Sequence, residues 1–105
     1  MDHFSITLRE YKDGNFAGRV QIGTDIKYIT DKRVYIHDLY VIKAYRHEDI
    51  DIKLINRAIN VCKKLDIHQI YLWCLPKLIS FYKDFGAEDI HLINEGYHFM
   101  RINIK

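Results

Sequence analysis

The run Val41-Ile-Lys-Ala-Tyr-Arg46-His-Glu-Asp49-Ile-Asp51 decides the fold of this 105-residue chain, because the hydrophobic pattern changes its period there. Before the run, residues 33–41 are rich in valine, isoleucine and tyrosine and predict a strand. After it, residues 49–65 place apolar side chains at helical spacing. Residues 68–75 then return to a strand pattern. This succession predicts a crossover unit in which the two strands are parallel neighbours.

A hairpin precedes the crossover unit. Residues 4–9 and 16–22 alternate apolar and polar side chains, and the turn signal Asp13-Gly14-Asn15 separates them. Residues 25–30 are compatible with a short strand or a loop. The apolar residues of the strand at 33–41 fall on both of its faces, which predicts a central strand that is covered on two sides.

A short helix and a second hairpin follow the unit. Pro76 suits a first helical turn and Gly86 suits a helix end. The expected buried face of this helix consists of Leu78, Ile79, Tyr82 and Phe85, and Tyr71, Trp73 and Leu75 are expected in the core. Residues 90–93 and 97–104 predict a hairpin around residues 94–96. The sequence thus predicts one α/β (α+β) domain over residues 1–105, with a mixed sheet of about six to seven strands, two helices and a central βαβ unit.

Composition excludes several classes of function. Sixteen basic and fourteen acidic residues leave a formal net charge of +2. This small excess of positive charge does not indicate a protein that binds nucleic acid. No segment is long and apolar enough for a membrane helix, and the first residues do not form a signal segment. Cys62 and Cys74 both fall inside regular elements and are expected to be buried and reduced. A cytoplasmic protein is therefore expected.

Three runs carry a family resemblance: Asp38-Leu-Tyr-Val41 continuing through Tyr45-Arg46, Ile70-Tyr-Leu-Trp-Cys74, and Phe81-Tyr82-Lys83-Asp84-Phe85-Gly86-Ala87. With them the chain resembles the GNAT-superfamily N-acetyltransferases. In that family a V-x-P-x-x-R-like run leads into R-x-x-G-x-G/A, and a later F-Y-x-x-x-G-F run ends a short helix. Here Ala87 replaces the final aromatic residue. The family's usual two N-terminal helices are expected to be absent, so the resemblance implies a minimal form of the fold.

The resemblance implies a site for acetyl-coenzyme A. The pantetheine arm would run along the strand, and the pyrophosphate would lie at the start of the long helix, where free N–H groups and the helix dipole favour an anion. The implied cofactor-binding residues are Leu39, Tyr40, Val41, Arg46, His47, Asp49, Ile50 and Asp51. Tyr82 matches the general acid, with a core tyrosine as the competing interpretation. Asp38 is the candidate base, unless it pairs with a basic neighbour or lies where strands separate.

Both glycine positions of the motif carry aspartate, Asp49 and Asp51. A carboxylate in the first helical turn accepts the N–H groups that a phosphate would use. It also repels the pyrophosphate, by about 4 kcal/mol per pair at about 4 Å before salt screening. A simpler interpretation is that these acids only cap the helix, and the two interpretations are compatible.

Three functional hypotheses follow. The first is a non-catalytic, acetyltransferase-like domain with an impaired acetyl-CoA site that binds another protein or a second copy of itself. The eight tyrosines are compatible with such interfaces. The second is an active minimal N-acetyltransferase that uses acetyl-CoA and an amine. The third is a module that binds a small molecule or an acyl-CoA derivative without chemistry.

Overall fold

The computed structural model describes residues 3–24 and 33–104. Six strands and two α-helices follow one another in the predicted order, and a single 3₁₀ turn precedes each helix. The predicted segment at 25–30 lies outside the described residues. The elements are β1 (Ser5–Lys12), β2 (Asn15–Thr24), β3 (Val34–Val41), α1 (Ile50–Lys64), β4 (Gln69–Cys74), α2 (Ile79–Lys83), β5 (Ala87–Asn94) and β6 (Tyr97–Asn103).

The described strands form one mixed sheet in the order β1-β2-β3-β4-β6-β5. β3 and β4 are parallel neighbours joined through α1, and the other neighbouring pairs are antiparallel. The parallel pair lies in the middle of the sheet because a crossover helix, unlike a tight turn, returns the chain to the same end. The predicted α+β fold with a central βαβ unit is confirmed.

Helix α1 covers one face of the sheet through its apolar stripe. The five side chains of this stripe that are buried are Ile50, Leu54, Ile55, Ala58 and Cys62. Gly18 of β2 lets the first turns of α1 approach closely. A Cβ at this position would lie 2.6 Å from the Tyr40 carbonyl oxygen and 3.2 Å from a methyl carbon of Ile50. The start of α1 is therefore fixed against β2 and β3.

The other face of the sheet, here called the helix-free face, corrects two expectations. It carries Tyr35, Tyr71, Trp73 and Phe99, whose rings contact one another outside the main core. No helix formed by residues 3–24 and 33–104 packs on it, so the expected second covering of β3 is absent from that part of the chain. Trp73 is 39% exposed and Leu75 is 36% exposed, so their assignment to the core was wrong. Alternation correctly placed Tyr71 and Trp73 on one face but did not show that the face is open.

The short helix α2 packs on the same side as α1. Tyr82 belongs to the main core, and Ile79 and Phe85 pack against it. Leu78 is 39% exposed, so it does not belong to the predicted buried face. The reason is that Leu78 lies in the 3₁₀ turn Pro76–Leu78, which does not continue the helical spacing of α2.

Candidate functional site

β3 and β4 pair at one register position among the described residues, Tyr35 with Tyr71. Beyond it, the carboxyl-terminal halves of the two strands no longer form a ladder with each other. Their facing backbone groups are consequently available to a ligand that lies between them, since a backbone N–H or C=O seeks a partner. We call this gap the cleft.

A β-bulge shapes β3 beside the cleft. Two residues of β3, Asp38 and Leu39, stand opposite the single residue Val20 of β2. Asp38 takes a φ of 54°, a left-handed conformation that aspartate tolerates better than most residues. Bulges bend and twist a strand. This bulge lies in the half of β3 that is separated from β4. Strict alternation along a strand predicts that His37 and Asp38 face opposite sides of the sheet.

That prediction is wrong, because the bulge resets the alternation and turns Asp38 to the helix-free face. There the Arg19 guanidinium donates from Nε to Asp38 Oδ2 at 2.9 Å and from Nη2 to Oδ1 at 3.3 Å. Arg19 also lies 5.2 Å above the centre of the Tyr40 ring. The hydrogen bonds from Arg19 hold the pKa of the Asp38 carboxyl below its usual range. Both alternatives to a base role, an ion pair and a place where strands separate, apply to Asp38.

The start of α1 differs from the simple capping interpretation. Asp49 is the N-cap residue, but its φ of 60° and ψ of 22° are left-handed and its side chain makes no capping hydrogen bond. A capping side chain requires an extended backbone, which aims its oxygen at the N–H groups of the first turn. Asp51 Oδ1 instead accepts the Ile52 N–H at 2.9 Å. One carboxylate therefore occupies a helix N–H, and the other adds charge beside the helix start.

The turn between β3 and α1 carries basic and acidic side chains next to each other. Arg46 donates from Nε to the Val41 carbonyl oxygen at 3.2 Å, at the end of the predicted pantetheine strand. His47 has a φ of 77°, a second left-handed residue in this turn. Glu48 adds a third carboxylate and pairs with Lys12 at 3.6 Å. The turn thus contains two left-handed residues, His47 and Asp49, and carboxylates that stand close to the helix start.

Tyr82 is 7% exposed and lies on the α1 side of the sheet. Burial raises its pKa to about 12, and the charges of Cys74 and Asp51 act in the same direction. No group within the described residues forms a hydrogen bond with the Tyr82 hydroxyl. The Tyr82 ring packs edge-on against the Phe81 ring, with 5.1 Å between the ring centres. Tyr82 is therefore a protonated group with a hydrogen to donate at neutral pH.

The structure places most of the predicted site residues on β3, at the start of α1 and on α2. Leu39 to Val41 border the cleft on β3, the residues from Arg46 to Asp51 stand at its α1 end, and Tyr82 lies on the α1 side. Sequence reasoning missed Arg19, because its contact with Asp38 depends on the pairing of β2 with β3. An aspartate within a strand, which strands disfavour, was a usable signal for the bulge.

The sequence model of the Acetyltransferase (GNAT) family matches residues 2–87. The chain belongs to the GNAT acetyltransferase family.

The chain is also similar to known proteins in sequence and in fold. It is 29% identical over 85 residues to the thialysine N-epsilon-acetyltransferase of Mus musculus, covering 73% of this chain and 50% of that protein. Its fold is similar to that of PaiA N-acetyltransferase from Thermoplasma acidophilum in complex with coenzyme A (TM-score 0.78, 19% identity, 94% of this chain and 60% of that one). It is also similar to an acyl-CoA N-acyltransferase from Pseudomonas aeruginosa (TM-score 0.79, 19% identity, 93% of this chain and 67% of that one).

The chain spans about half the length of the mouse relative and 60% of the Thermoplasma chain. The additional segments of those proteins have no counterpart among the residues compared. Within the described part of this chain, no helix has the length and apolar character needed to span a membrane.

Proposed function

We propose that this GNAT-family domain has an impaired acetyl-CoA site, is non-catalytic and acts by binding protein. The observation that carries the proposal is the pair of carboxylates at the start of α1, Asp49 and Asp51. Asp51 already accepts a backbone N–H of the first turn. The start of a helix favours a foreign anion through its dipole and its free N–H groups. Here a carboxylate of the chain itself already occupies part of that site.

The fit to coenzyme A differs between the two ends of the cleft. The unpaired backbone of β3 suits a pantetheine arm, which needs hydrogen-bonding groups and no charge. The start of α1 does not suit a pyrophosphate, because the carboxylates of Asp49 and Asp51 stand where the anion would lie. Like charges this close weaken binding by an order of magnitude or more even after partial screening. No reaction step is therefore derived through the cofactor.

The two candidate catalytic groups are also poorly matched to proton transfer. Asp38 is tied to Arg19 by two hydrogen bonds and its pKa is lowered, so it is a weak base. Tyr82 has a pKa of about 12. Giving its proton to a thiolate with a pKa of about 8.5 is uphill by about 5 kcal/mol. Efficient general acids have a pKa close to the working pH.

One alternative has an observation of its own in its favour. Asp49 retains the left-handed backbone that a glycine would adopt, and the bulge and the cleft are present. These features favour an active minimal N-acetyltransferase that transfers acetyl from acetyl-CoA to an amine. The mouse relative, a thialysine N-epsilon-acetyltransferase, points to an amine on a side chain as the acceptor.

Isothermal titration of acetyl-CoA at low salt tests the proposal. We expect no measurable binding to the wild-type chain, and at least about tenfold tighter binding after Asp49→Gly combined with Asp51→Gly. The Asp49→Asn and Asp51→Asn pair removes the charge and keeps the side-chain shape, so it isolates the electrostatic part. Asp66→Gly is the matched control. It removes an aspartate with the same φ of 60° from the other end of α1 and should leave binding unchanged.

Micromolar binding by the wild-type chain would overturn the impaired-site proposal and make the active enzyme the better assignment. In that case Tyr82→Phe should reduce the rate of acetyl transfer while leaving the affinity for acetyl-CoA unchanged. A folded double-glycine variant that still does not bind would show that the two carboxylates are not what blocks the site.

A further inference from the structure

β1 lies at one edge of the sheet, and no strand of the described residues pairs with its outer side. β5 lies at the other edge, but a register shift between Asp89 and Ile93 interrupts it. β1 is regular from Ser5 to Glu10, because its register shift falls after Glu10. β1 is therefore the edge at which another chain can continue the sheet.

The backbone of β1 presents alternate residues to β2 and to the outside. The Thr24 N–H donates to the Phe4 carbonyl oxygen at 3.1 Å, so Phe4 is bonded toward β2. Hydrogen-bonded and non-hydrogen-bonded pairs alternate along an antiparallel ladder. Ser5, Thr7 and Arg9 therefore direct their N–H and carbonyl groups away from β2.

Arg57 of α1 covers part of this outer edge. Its Nη1 donates to the Arg9 carbonyl oxygen at 2.7 Å, which confirms that this carbonyl group points away from β2. The same Nη1 lies 3.0 Å from Glu10 Oε1, and this ion pair holds the guanidinium in place. Within residues 3–24 and 33–104, no hydrogen bond reaches the outward backbone groups of Ser5 and Thr7. The edge is thus covered at Arg9 and open before it.

The open part of β1 lacks the features that protect an edge strand. Residues 5–8, Ser-Ile-Thr-Leu, carry no charge, and the single proline of the chain is Pro76. Charged side chains, proline and bulges on an edge strand prevent another strand from pairing with it. Without them, the outward N–H and carbonyl groups form a template for the strand of a second chain.

The side chains of β1 are complementary to a second copy of the same strand. Phe4, Ile6 and Leu8 are half-buried and lie on the α1 side of the sheet. An antiparallel copy related by a two-fold axis at Ile6 places Ile6 opposite the partner's Ile6 and Phe4 opposite the partner's Leu8. In this register Ser5 stands opposite the partner's Thr7, and the two exchange main-chain hydrogen bonds. The apolar row is thus complementary to itself, which favours a second copy as the occupant of the edge.

Arg57 distinguishes this register from a neighbouring one. A shift of the axis to Thr7 pairs Ser5 with the partner's Arg9, whose carbonyl oxygen already accepts a hydrogen bond from Arg57. A shift in the opposite direction leaves part of the apolar row without an opposite apolar side chain. The axis at Ile6 is therefore the register that pairs the whole row and does not require the Arg9 carbonyl group.

We propose that β1 pairs in antiparallel fashion with β1 of a second copy of this chain, about a two-fold axis at Ile6, and joins the two sheets into one. This goes beyond the proposed function, because it names the surface and its occupant. It does not depend on whether the cleft binds acetyl-CoA, since β2 and β3 lie between β1 and the cleft. The interface is small, so the dimer should be weak and should depend on concentration.

Sedimentation velocity up to millimolar concentration is the primary test. We expect the mass to rise from 12.6 kDa toward twice that value. Thr7→Pro removes an outward N–H that the ladder with β2 does not use, so it should weaken the association at least about tenfold in a folded chain. Thr7→Val is the matched control, because it keeps the N–H and suits a strand. Both variants lose the hydrogen bond from Gln21, so that loss does not distinguish them.

Ile6→Lys is a second variant that leaves every backbone group in place. It sets two lysines opposite each other at the axis, and like charges directly opposite each other destabilise a strand pair. We expect it to weaken the association at least about tenfold. Tyr97→Lys is its control, since Tyr97 is 44% exposed on β6, which β2, β3 and β4 separate from β1.

Cysteine crosslinking tests the register. Ile6→Cys sets two thiols opposite each other in a non-hydrogen-bonded pair, with about 4.5 Å between the Cα atoms. A disulfide spans this distance, so mild oxidation should give a covalent dimer. Thr7→Cys should crosslink much less, because its two copies are offset along the strands. The native Cys62 and Cys74 are buried and should not contribute.

A chain that stays monomeric up to millimolar concentration would overturn the proposal. So would a dimer that both Thr7→Pro and Ile6→Lys leave unchanged, because another surface would then form it. If Thr7→Pro does not fold, Ile6→Lys decides this point. Crosslinking through Thr7→Cys rather than Ile6→Cys would contradict the axis at Ile6 and the role given to Arg57.

Discussion

Asp49 and Asp66 stand just outside opposite ends of α1, and each has a φ of 60°. At the carboxyl end, the Asp66 N–H bonds to the Lys63 carbonyl at 3.1 Å and the Ile67 N–H to the Cys62 carbonyl at 2.9 Å. These are the two bonds of a Schellman motif, which satisfies the last carbonyl groups of a helix. The left-handed residue has a clear structural task at this end.

The amino end contains the same residue in the same conformation without that task. A left-handed N-cap residue does not cap, and the Asp49 side chain leaves the first N–H groups to Asp51 or to a ligand. The comparison shows that backbone shape alone does not reveal a purpose. At one end it terminates the helix, and at the other Asp49 precedes the helix without capping it.

The largest expected effect concerns how firmly each end is packed. Ile50 is 2% exposed at the start of α1 and Ile67 is 7% exposed just beyond its end. We expect Ile50→Ala and Ile67→Ala each to lower the free energy of unfolding by about 2–5 kcal/mol, because each leaves a cavity in the core. Urea denaturation measures both. A cost below about 1 kcal/mol for Ile50→Ala would show that the amino end is loosely held, and the comparison would then fail.

The next effect concerns Tyr82, whose raised pKa includes a contribution from Asp51 in the first turn of α1. A folded-state pKa of about 12 against an ordinary value of 10 means that the unfolded chain loses this proton first. The stabilisation that comes from keeping the Tyr82 hydroxyl protonated in the folded state is complete below pH 10 and is lost as the pH rises toward 12. Wild type should therefore lose up to about 3 kcal/mol relative to Tyr82→Phe across this range, measured by urea denaturation. Parallel curves for the two proteins would contradict burial of the hydroxyl group.

The smallest effect compares the two aspartates directly. Glycine removes the left-handed strain at both ends, which is worth about 1 kcal/mol. The helix dipole favours a carboxylate at the amino end and opposes one at the carboxyl end, by about 0.3–1 kcal/mol. Asp66→Gly should therefore stabilise the chain by about 1–2 kcal/mol, and Asp49→Gly by less. The midpoint of urea denaturation reports both, and a larger gain for Asp49→Gly would reverse the electrostatic argument.

The identity of most elements could be predicted from local patterns. The period change at residues 41–51 located β3 and α1, and the turn signals at Gly14 and Gly96 located both hairpins. Patterns of this kind reflect which side chains each element buries, and the spacing of apolar residues in the sequence records this directly. The segment at 25–30 stays a prediction.

Contacts between distant segments could not be predicted in this way. Nothing near Arg19 in the chain points to Asp38, and the bulge that brings them together appears only when β2 pairs with β3. The assignment of Trp73 and Leu75 to the core failed for a related reason. Alternation shows which residues share a face, but only the arrangement of α1 and α2 shows which face is covered.

The sequence by itself determined the GNAT family, the order of its strands and helices, and the replacement of two glycines by Asp49 and Asp51. These are properties of residue type and spacing. Only the tertiary structure decided that Asp49 does not cap α1, that Asp38 is held by Arg19, and that Trp73 and Leu75 are exposed. The reason is physical, since a charge or a hydrophobic side chain acquires its effect from the neighbours that folding places around it.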